Sequence, residues 1–404
     1  MDFEEYKANT KYAFCTLVMR GDSYVRAALI MGYSLKNISD MDRIVMVTDD
    51  VSPKCVKLMQ DIFTHVITVP YRQYESEPFI VSTPEQRKRY AAWIDAIYTK
   101  WNLVGFVQYE KILFLDADTI VIRNIDSVFE FDTPAGVFTN PWVKTYFKRG
   151  FYDFYRHLKI GEKIPHKVID QGLQRRGSVV FGSCVLVSPS EDDYKKLFTM
   201  LEENQPFGFT TTRSGNDEQA ITYYYRTQNK EWTMLPPNLN TIPWKIHLLH
   251  NQAVVDCVDV DDLGDAITEE ERKHESSHIT KCEMMKHEAP LVVHYFGSDK
   301  VWDSDPTKPS GGDQWDDIYT WWQLAYNYIC LSGHSSAVVK RLKEMFNLTE
   351  TIKKICKTGI SVGEKCFYCE WLINEGPKYN WYVDDVDSSH PMIDKHNKLV
   401  CPLV

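Results

Sequence analysis

Two carboxylates, Asp116 and Asp118, close an apolar run, Lys111-Ile-Leu-Phe-Leu115. A run of that composition reads as a buried strand. Two carboxylates at its end lose hydration and repel each other. Such a pair needs a cation. Hard oxygen ligands suit Mn²⁺ or Mg²⁺, and a diphosphate would supply the remaining oxygens. A metal so placed stabilises charge that builds on a leaving nucleoside diphosphate, which is transfer chemistry. A second group follows a late apolar run: His294-Tyr-Phe-Gly297-Ser-Asp-Lys300-Val-Trp302. The imidazole of His294 can complete Mn²⁺ coordination, and Gly297 permits close backbone approach to phosphate. Lys300 is a flexible point charge suited to a diphosphate. Taken alone, His294 reads first as a satisfied structural histidine. The other Asp-x-Asp tripeptides, Asp40/Asp42, Asp259/Asp261, Asp303/Asp305 and Asp385/Asp387, lie in polar stretches and read as solvated surface charge.

The elements that must position these groups alternate. Strands are expected at Tyr12–Met19, Arg43–Thr48 and His65–Val69, the last stopped by Pro70. Helices are expected between them at Tyr24–Leu35 and Pro53–Phe63. A long helix from about Glu85 to Phe106 precedes the strand that ends in Asp116. Later strands are expected at Ser178–Val187 and Leu291–His294. This alternation implies an α/β fold with a mostly parallel sheet, whose ligands sit beyond the carboxyl ends of the strands. Asn140–Gly177 reads as an inserted loop and helix region, Asn251–His287 as a charged surface excursion, and Pro306–Asp313 as a linker. Helices are expected beyond it at Trp315–Leu331 and Ser335–Phe346.

Composition narrows the field. The chain has 404 residues, enough for one large or two modest domains. Its net charge of −10 is a poor match for a phosphate backbone, which argues against nucleic-acid binding. No apolar run approaches the roughly 18–20 residues that span a membrane, and the acidic start is not a signal peptide, so a cytoplasmic location is expected. There is no Walker loop, no Gly-rich dinucleotide fingerprint and no nucleophile elbow, which disfavours a P-loop ATPase, a dehydrogenase and a serine hydrolase. Cys15 and Cys184 sit in apolar runs and read as buried thiols. Cys356, Cys366, Cys369 and Cys401 cluster in the tail, where plain thiols, a zinc site with His390 and a disulfide are all open.

Four patches together resemble glycosyltransferase family eight, the family of glycogenin, galactinol synthase and bacterial galactosyl- and glucosyltransferases. They are Ala13–Met19 with Asp22-Ser-Tyr24; Lys100 with Gln108-Tyr109; Phe114-Leu-Asp116-Ala-Asp118-Thr with Asn124-Ile-Asp126-Ser-Val-Phe129; and His294-x-x-Gly297-x-x-Lys300-x-Trp302. The last departs from the family pattern in having Val301 where proline is usual. The resemblance covers about residues 10 to 305. It implies a GT-A (glycosyltransferase-A) α/β fold there, with the insertion at about 140–177, and a mainly helical C-terminal extension over 306–404. It implies that Leu17 and Tyr24 meet the nucleobase and that Lys100 contacts donor sugar and phosphate. Asp116, Asp118 and His294 would bind Mn²⁺, with Mg²⁺ as the alternative. The backbone of Ala117 would face the nucleotide, and Gly297 and Lys300 the diphosphate.

Two further patches match less closely. Phe181-Gly-Ser-Cys-Val resembles the family's F-N-S-G-V strand; Ser183 is retained, but Gly182 replaces the asparagine that contacts the sugar. Gly215-Asn-Asp-Glu-Gln-Ala220 resembles the G-D-Q segment, so either Asp217 or Glu218 is the carboxylate near the anomeric carbon, with Gln219 beside it. Without the resemblance, this segment reads as a helix N-cap cluster. The implied activity is retaining transfer of a hexose, glucose ahead of galactose, from a UDP-sugar to a glycan, polyol or protein acceptor. A homodimer is compatible with it. A front-face route needs no protein nucleophile, whereas double displacement needs a carboxylate such as Glu218.

Three alternatives compete. A nucleotidyltransferase should carry a Gly- and Arg-rich loop after the first strand, and Met19-Arg20-Gly21-Asp22 is too short for it. A self-glycosylating primer needs an acceptor tyrosine, with Tyr295, Tyr319 and Tyr326 available. A nucleotide-sugar-binding protein without turnover is disfavoured by the intact Asp116, Asp118, His294 and Lys300.

Overall fold

The computed structural model describes residues 6–75, 93–138, 160–176, 180–203, 216–241, 291–295, 300–303 and 318–351. The expected excursion at 251–287, the linker at 306–313, the tail cysteines and the greater part of the insertion at 140–177 lie outside these residues. The chain divides into two compact units.

The first unit, whose described residues run to Thr119 and from Arg123 to Asn240, is built on an eight-stranded sheet. Its strands are β1 (Tyr12–Val18), β2 (Asp42–Val47), β3 (His65–Thr68), β4 (Lys111–Leu115), β6 (Ala135–Phe138), β7 (Lys163–Ile164), β8 (Val180–Val187) and β9 (Trp232–Met234). Their order is β3-β2-β1-β4-β8-β6-β9-β7. The first four are mutually parallel, as the alternation of strand and helix implies. Ala13, Phe14, Cys15, Ile112, Leu113 and Phe114 are buried along β1 and β4, as parallel strands covered on both faces require. This is the α/β arrangement with a mostly parallel sheet expected. The free thiols of Cys15 and Cys184 are buried within it.

Strand β8 reverses the direction. It runs antiparallel to β4, with Leu115 opposite Cys184 and Ile112 opposite Val187. The first residues of β8 therefore lie beside the carboxyl end of β4. Helices α1 (Val25–Lys36), α2 (Pro53–Met59), α3 (His166–Arg176), α4 (Glu191–Glu203) and α5 (Asn216–Thr227) complete this unit.

Two local expectations are corrected. Within the long helix expected from Glu85, the described part, Ile94–Gly105, winds as a 3₁₀ helix. Asn102 Nδ2 donates to the Thr99 carbonyl at 2.8 Å and to the Pro70 carbonyl at 3.0 Å, so a side chain takes a backbone acceptor. Its apolar side still packs: Ile94, Ile97, Tyr98, Trp101, Leu103 and Val104 are all buried. Asp42 was expected as solvated charge and is instead 2 % exposed. It accepts from Asn9 N at 2.8 Å, Asn9 Nδ2 at 3.2 Å and Tyr109 Oη at 2.8 Å. The groups that cover it are thus remote in sequence: Asn9 of the N-terminal strap and Tyr109 before β4. Burial, then the bond to Asp42, push the Tyr109 phenol far above its ordinary pKa, so it stays a donor.

The second unit takes Ile120 and Val121 of β5 (Thr119–Val121), which pairs with β10 (Val292–His294). The Ile122 amide donates to Leu291 O at 2.9 Å, and Thr241 joins β10 through an isolated parallel bridge to Val293. Helix α6 (Ile318–Tyr326) continues into a π-helical turn, Asn327–Leu331, and α7 (Ser336–Met345) follows. Ser335 caps α7 by accepting from Val338 N. Trp321 is the aromatic centre, 6.0 Å from the ring of Trp302 and 5.0 Å from that of Trp322. These helices match those expected from the apolar spacing beyond residue 315.

Removing one donor to Asp42 tests the strap. Tyr109→Phe should lower stability by about 1.5–3 kcal/mol, because a buried carboxylate loses a charge-assisted bond. Urea unfolding followed by circular dichroism would measure it, and an unchanged midpoint would dismiss the network as a stabilising element.

Candidate active site

The chain turns sharply after β4. Asp116 donates its backbone N–H to the Ser183 carbonyl at 3.2 Å, tying the turn to the start of β8. Its own carbonyl accepts from Thr119 N at 3.2 Å and Thr119 Oγ1 at 2.8 Å. The Asp116–Asp118 segment is thus held from both sides. Asp118 is 6 % exposed, Ala117 is buried, and Asp116 is half-buried.

A lysine answers this negative charge. Lys100 projects from the 3₁₀ helix with its Nζ 2.8 Å from Asp217 Oδ2 and 3.3 Å from Asp116 Oδ1. It also approaches the Gly182 carbonyl at 3.4 Å and lies 5.1 Å from the centre of the Phe114 ring. Burial alone would lower its pKa. The charges of Asp116 and Asp217, the bond to Asp217 and the charge of Glu218 outweigh that and raise it well above the ordinary lysine value. Lys100 is therefore a fixed cation.

Helix α5 delivers the other carboxylates. Asp217 and Glu218 occupy its first turn, where the helix dipole favours negative charge. Trp101 Nε1 donates to the Asp217 carbonyl at 3.2 Å and pins the turn to the 3₁₀ helix. Glu218 Oε1 accepts from the Gly182 N–H at 2.8 Å. Gly182 is required sterically. A Cβ there would lie 2.8 Å from Asp217 Oδ2 and 2.9 Å from Glu218 Cγ. The space a side chain would occupy is filled by the carboxylates themselves.

The structure thus brings Lys100, Asp116, Gly182, Asp217 and Glu218 together, and Ser183 adjoins them through its carbonyl. Gln219 is on α5 and fully buried. Leu17 is half-buried on β1, and Tyr24 is half-buried just before α1, its carbonyl accepting from Ala28 N at 3.0 Å. In the second unit His294 ends β10, 8 % exposed, its N–H donating to Thr241 O at 2.8 Å. Lys300 Nζ lies 3.4 Å from the Tyr295 carbonyl and 5.8 Å from the Trp302 ring centre. Gly297 and Gly215 lie outside the described residues. Among the tyrosines considered as self-acceptors, Tyr295 is fully buried, Tyr326 is half-buried, and the side chain of Tyr319 lies outside the described residues.

Cys184 neighbours this site without joining it. Burial, then the charge of Asp116, push its thiol far above the ordinary cysteine value, so it stays protonated. Sequence reasoning did not place Gly182 among the supports of the acidic cluster. Its substitution for asparagine marked the position as unusual, but only the packing of α5 explains it.

Replacing Lys100 exposes the dependence. Lys100→Met leaves Asp217 buried without its cation and should cost about 3–5 kcal/mol in thermal or urea unfolding. Lys100 has a raised folded pKa, so its contribution is complete below the unfolded value, about 10.4, and fades only as pH rises through the folded one. The stability difference between wild type and variant should therefore show no lysine titration between pH 6 and 9. A step in that window would show that Lys100 is not held as described.

A model of the family described as glycosyl transferase family 8 matches residues 15–168. Protein R707 of Acanthamoeba polyphaga mimivirus is 25 % identical over 228 residues, 54 % of this chain and 73 % of that protein. Glycogenin-1 of Oryctolagus cuniculus is 29 % identical over 166 residues, 40 % of this chain and 47 % of that one, so this chain spans about half the length of that relative. Galactinol synthase 10 of Arabidopsis thaliana is 39 % identical over 97 residues, 23 % of this chain and 28 % of that one. The matched segment contains Lys100, Asp116 and Asp118, and over it the chain is similar to glycosyl transferase family 8.

Proposed function

We propose that this chain is a divalent-metal-dependent, retaining glycosyltransferase that moves a hexose, glucose ahead of galactose, from a UDP-sugar to a glycan, polyol or protein acceptor. The observation that carries the reading is the Lys100–Asp116–Asp217 cluster at the carboxyl end of β4, where an α/β sheet takes its ligand. Asp116, Asp118 and His294 would hold the cation, Mn²⁺ ahead of Mg²⁺. Two carboxylates and an imidazole are a donor set that suits Mn²⁺. When bound, the ion would neutralise charge on the departing diphosphate.

The chain's own groups have separable tasks in this reading. Leu17 and Tyr24 bound the nucleobase, and the backbone at Ala117 faces the nucleotide. Gly297 and Lys300 serve the diphosphate. Lys100 orients Asp116 and Asp217. Glu218, half-buried and held by the Gly182 N–H, is the carboxylate nearest a donor sugar. Asp217 is committed to Lys100, which favours Glu218 over Asp217 for any contact with the anomeric carbon. A catalytic domain over about residues 10–305, a cytoplasmic location and a homodimer belong to the same proposal.

UDP release from a panel of UDP-sugars, with Mn²⁺ and with chelator, tests the reading. One donor should be turned over in the presence of metal only. Asp118→Ala and His294→Ala should each lower that turnover by at least a hundredfold while the protein stays folded. Full activity in either variant would remove that residue from the metal site, and failure to bind UDP at all would end the proposal.

A further inference from the structure

We propose that Tyr71 and Asp50 are positioning residues that latch the turn after β1, residues 20–22, and so set the nucleobase preference of the site. This rests on the functional reading above, in which Leu17 and Tyr24 bound the base. It goes beyond that reading in naming two residues, from other strand ends, that fix the wall on which Tyr24 stands.

The turn is a shape the chain does not adopt unaided. Arg20 and Gly21 both have positive φ, 62° and 76°. Gly21 takes that region as readily as any other. Arg20 carries a Cβ, and left-handed backbone is disfavoured for it. Such a residue persists where its surroundings over-determine it. The turn leads from β1 to Tyr24, at the carboxyl end of a parallel strand, where α/β sheets take their ligands.

Three neighbouring strand ends supply the restraint. β1, β2 and β3 are parallel and adjacent, so their carboxyl ends lie in a row. Arg20 follows β1, Asp50 follows β2 and Tyr71 follows β3. The Arg20 N–H donates to Tyr71 Oη at 2.8 Å, and the Tyr71 hydroxyl donates to Asp50 Oδ2 at 2.9 Å. Thr48 Oγ1 donates to the other carboxylate oxygen, Oδ1, at 2.5 Å. Burial raises the pKa of the Tyr71 phenol, which therefore remains a donor. Burial would raise that of Asp50 too, but the bonds from Thr48, Tyr71 and the backbone N–H groups of Asp50 and Gly21 outweigh it and hold the carboxyl below its ordinary value. Asp50 is thus an anion that orients the Tyr71 hydroxyl and leaves the phenol oxygen to accept from Arg20. Beyond the left-handed pair, Asp22 accepts from Ser52 N at 2.8 Å and Ser52 Oγ at 2.7 Å. The turn is tied on both sides, and Tyr24 stands two residues later at the start of α1.

Calorimetric titration of the full chain by UDP and by ADP, with Mn²⁺ present, tests this. The wild type should prefer UDP. Tyr71→Phe keeps the ring and removes the hydroxyl. It should lower UDP affinity about fivefold, the worth of one hydrogen bond, while ADP affinity changes less than about twofold. A purely structural role would lower both alike. Asp50→Ala should act in the same direction, and the double variant should lose no more than Y71F alone, because the two residues act in series. An unchanged preference in folded Y71F overturns the latch, as do equal losses for UDP and ADP, or losses in the two variants that multiply. If the wild type binds UDP without preferring it to ADP, the turn does not select the base and only the latch fails; if it binds neither, the functional reading fails and the latch with it.

Discussion

A buried carboxylate must find positive charge, and at the carboxyl end of β4 a single ammonium supplies it. Lys100 stands between Asp116, from the end of a strand, and Asp217, from the first turn of a helix. It comes itself from a third element. Three pieces of chain far apart in sequence are thereby held in one place by an electrostatic requirement that none meets alone. The neighbouring contacts serve that requirement. Trp101 secures the carbonyl of Asp217, Gly182 leaves room for both acidic side chains, and the helix dipole of α5 lowers the cost of gathering them.

The sheet explains why this happens at one edge. Four parallel strands direct their carboxyl ends the same way, and β8, running against them, brings its first residues to the same side. Asp116 can then bond to the Ser183 backbone, and Glu218 to Gly182, within one turn of chain. The opposite edge carries a different polar arrangement, the Asp42 network, which secures the N-terminal strap to the sheet. Both edges bury carboxylates. Among the described residues, the carboxylates at the end of β4 pair with a lysine, and Asp42 pairs with neutral donors and His65.

The aspartate turn at the end of β4 was legible in the sequence because it follows a strand. An apolar run that ends in two aspartates announces its own contradiction of burial and charge. The resemblance added Lys100, which no local pattern distinguishes from a solvated helix lysine. Its partners lie 16 and 117 positions away in sequence, Asp116 and Asp217. Such contacts leave no trace in a window of residues. The same limit explains Asp42: its neighbourhood is polar in sequence, yet the residues that cover it, Asn9 and Tyr109, lie 33 and 67 positions away. Local reasoning also took the run before β4 as a regular α-helix, since apolar spacing does not separate that from a 3₁₀ helix whose carbonyls are claimed by side chains. The short strands β5, β6, β7 and β9 and the helix α4 were not anticipated, because two to four residues, or a charged amphipathic segment, give little periodic signal.

The reversal of β8 has a consequence for how such a chain can diversify. Since β8 enters beside the acidic turn and leaves at the far end of β4, its early residues Gly182 and Ser183 lie against Asp116, Asp217 and Glu218, while Val187 lies opposite Ile112. A change at the first pair alters what stands among the carboxylates, whereas a change at Val187 alters only the packing of the sheet. Selection acting on what the chain accepts would be expected to find its variation in the first of these two places.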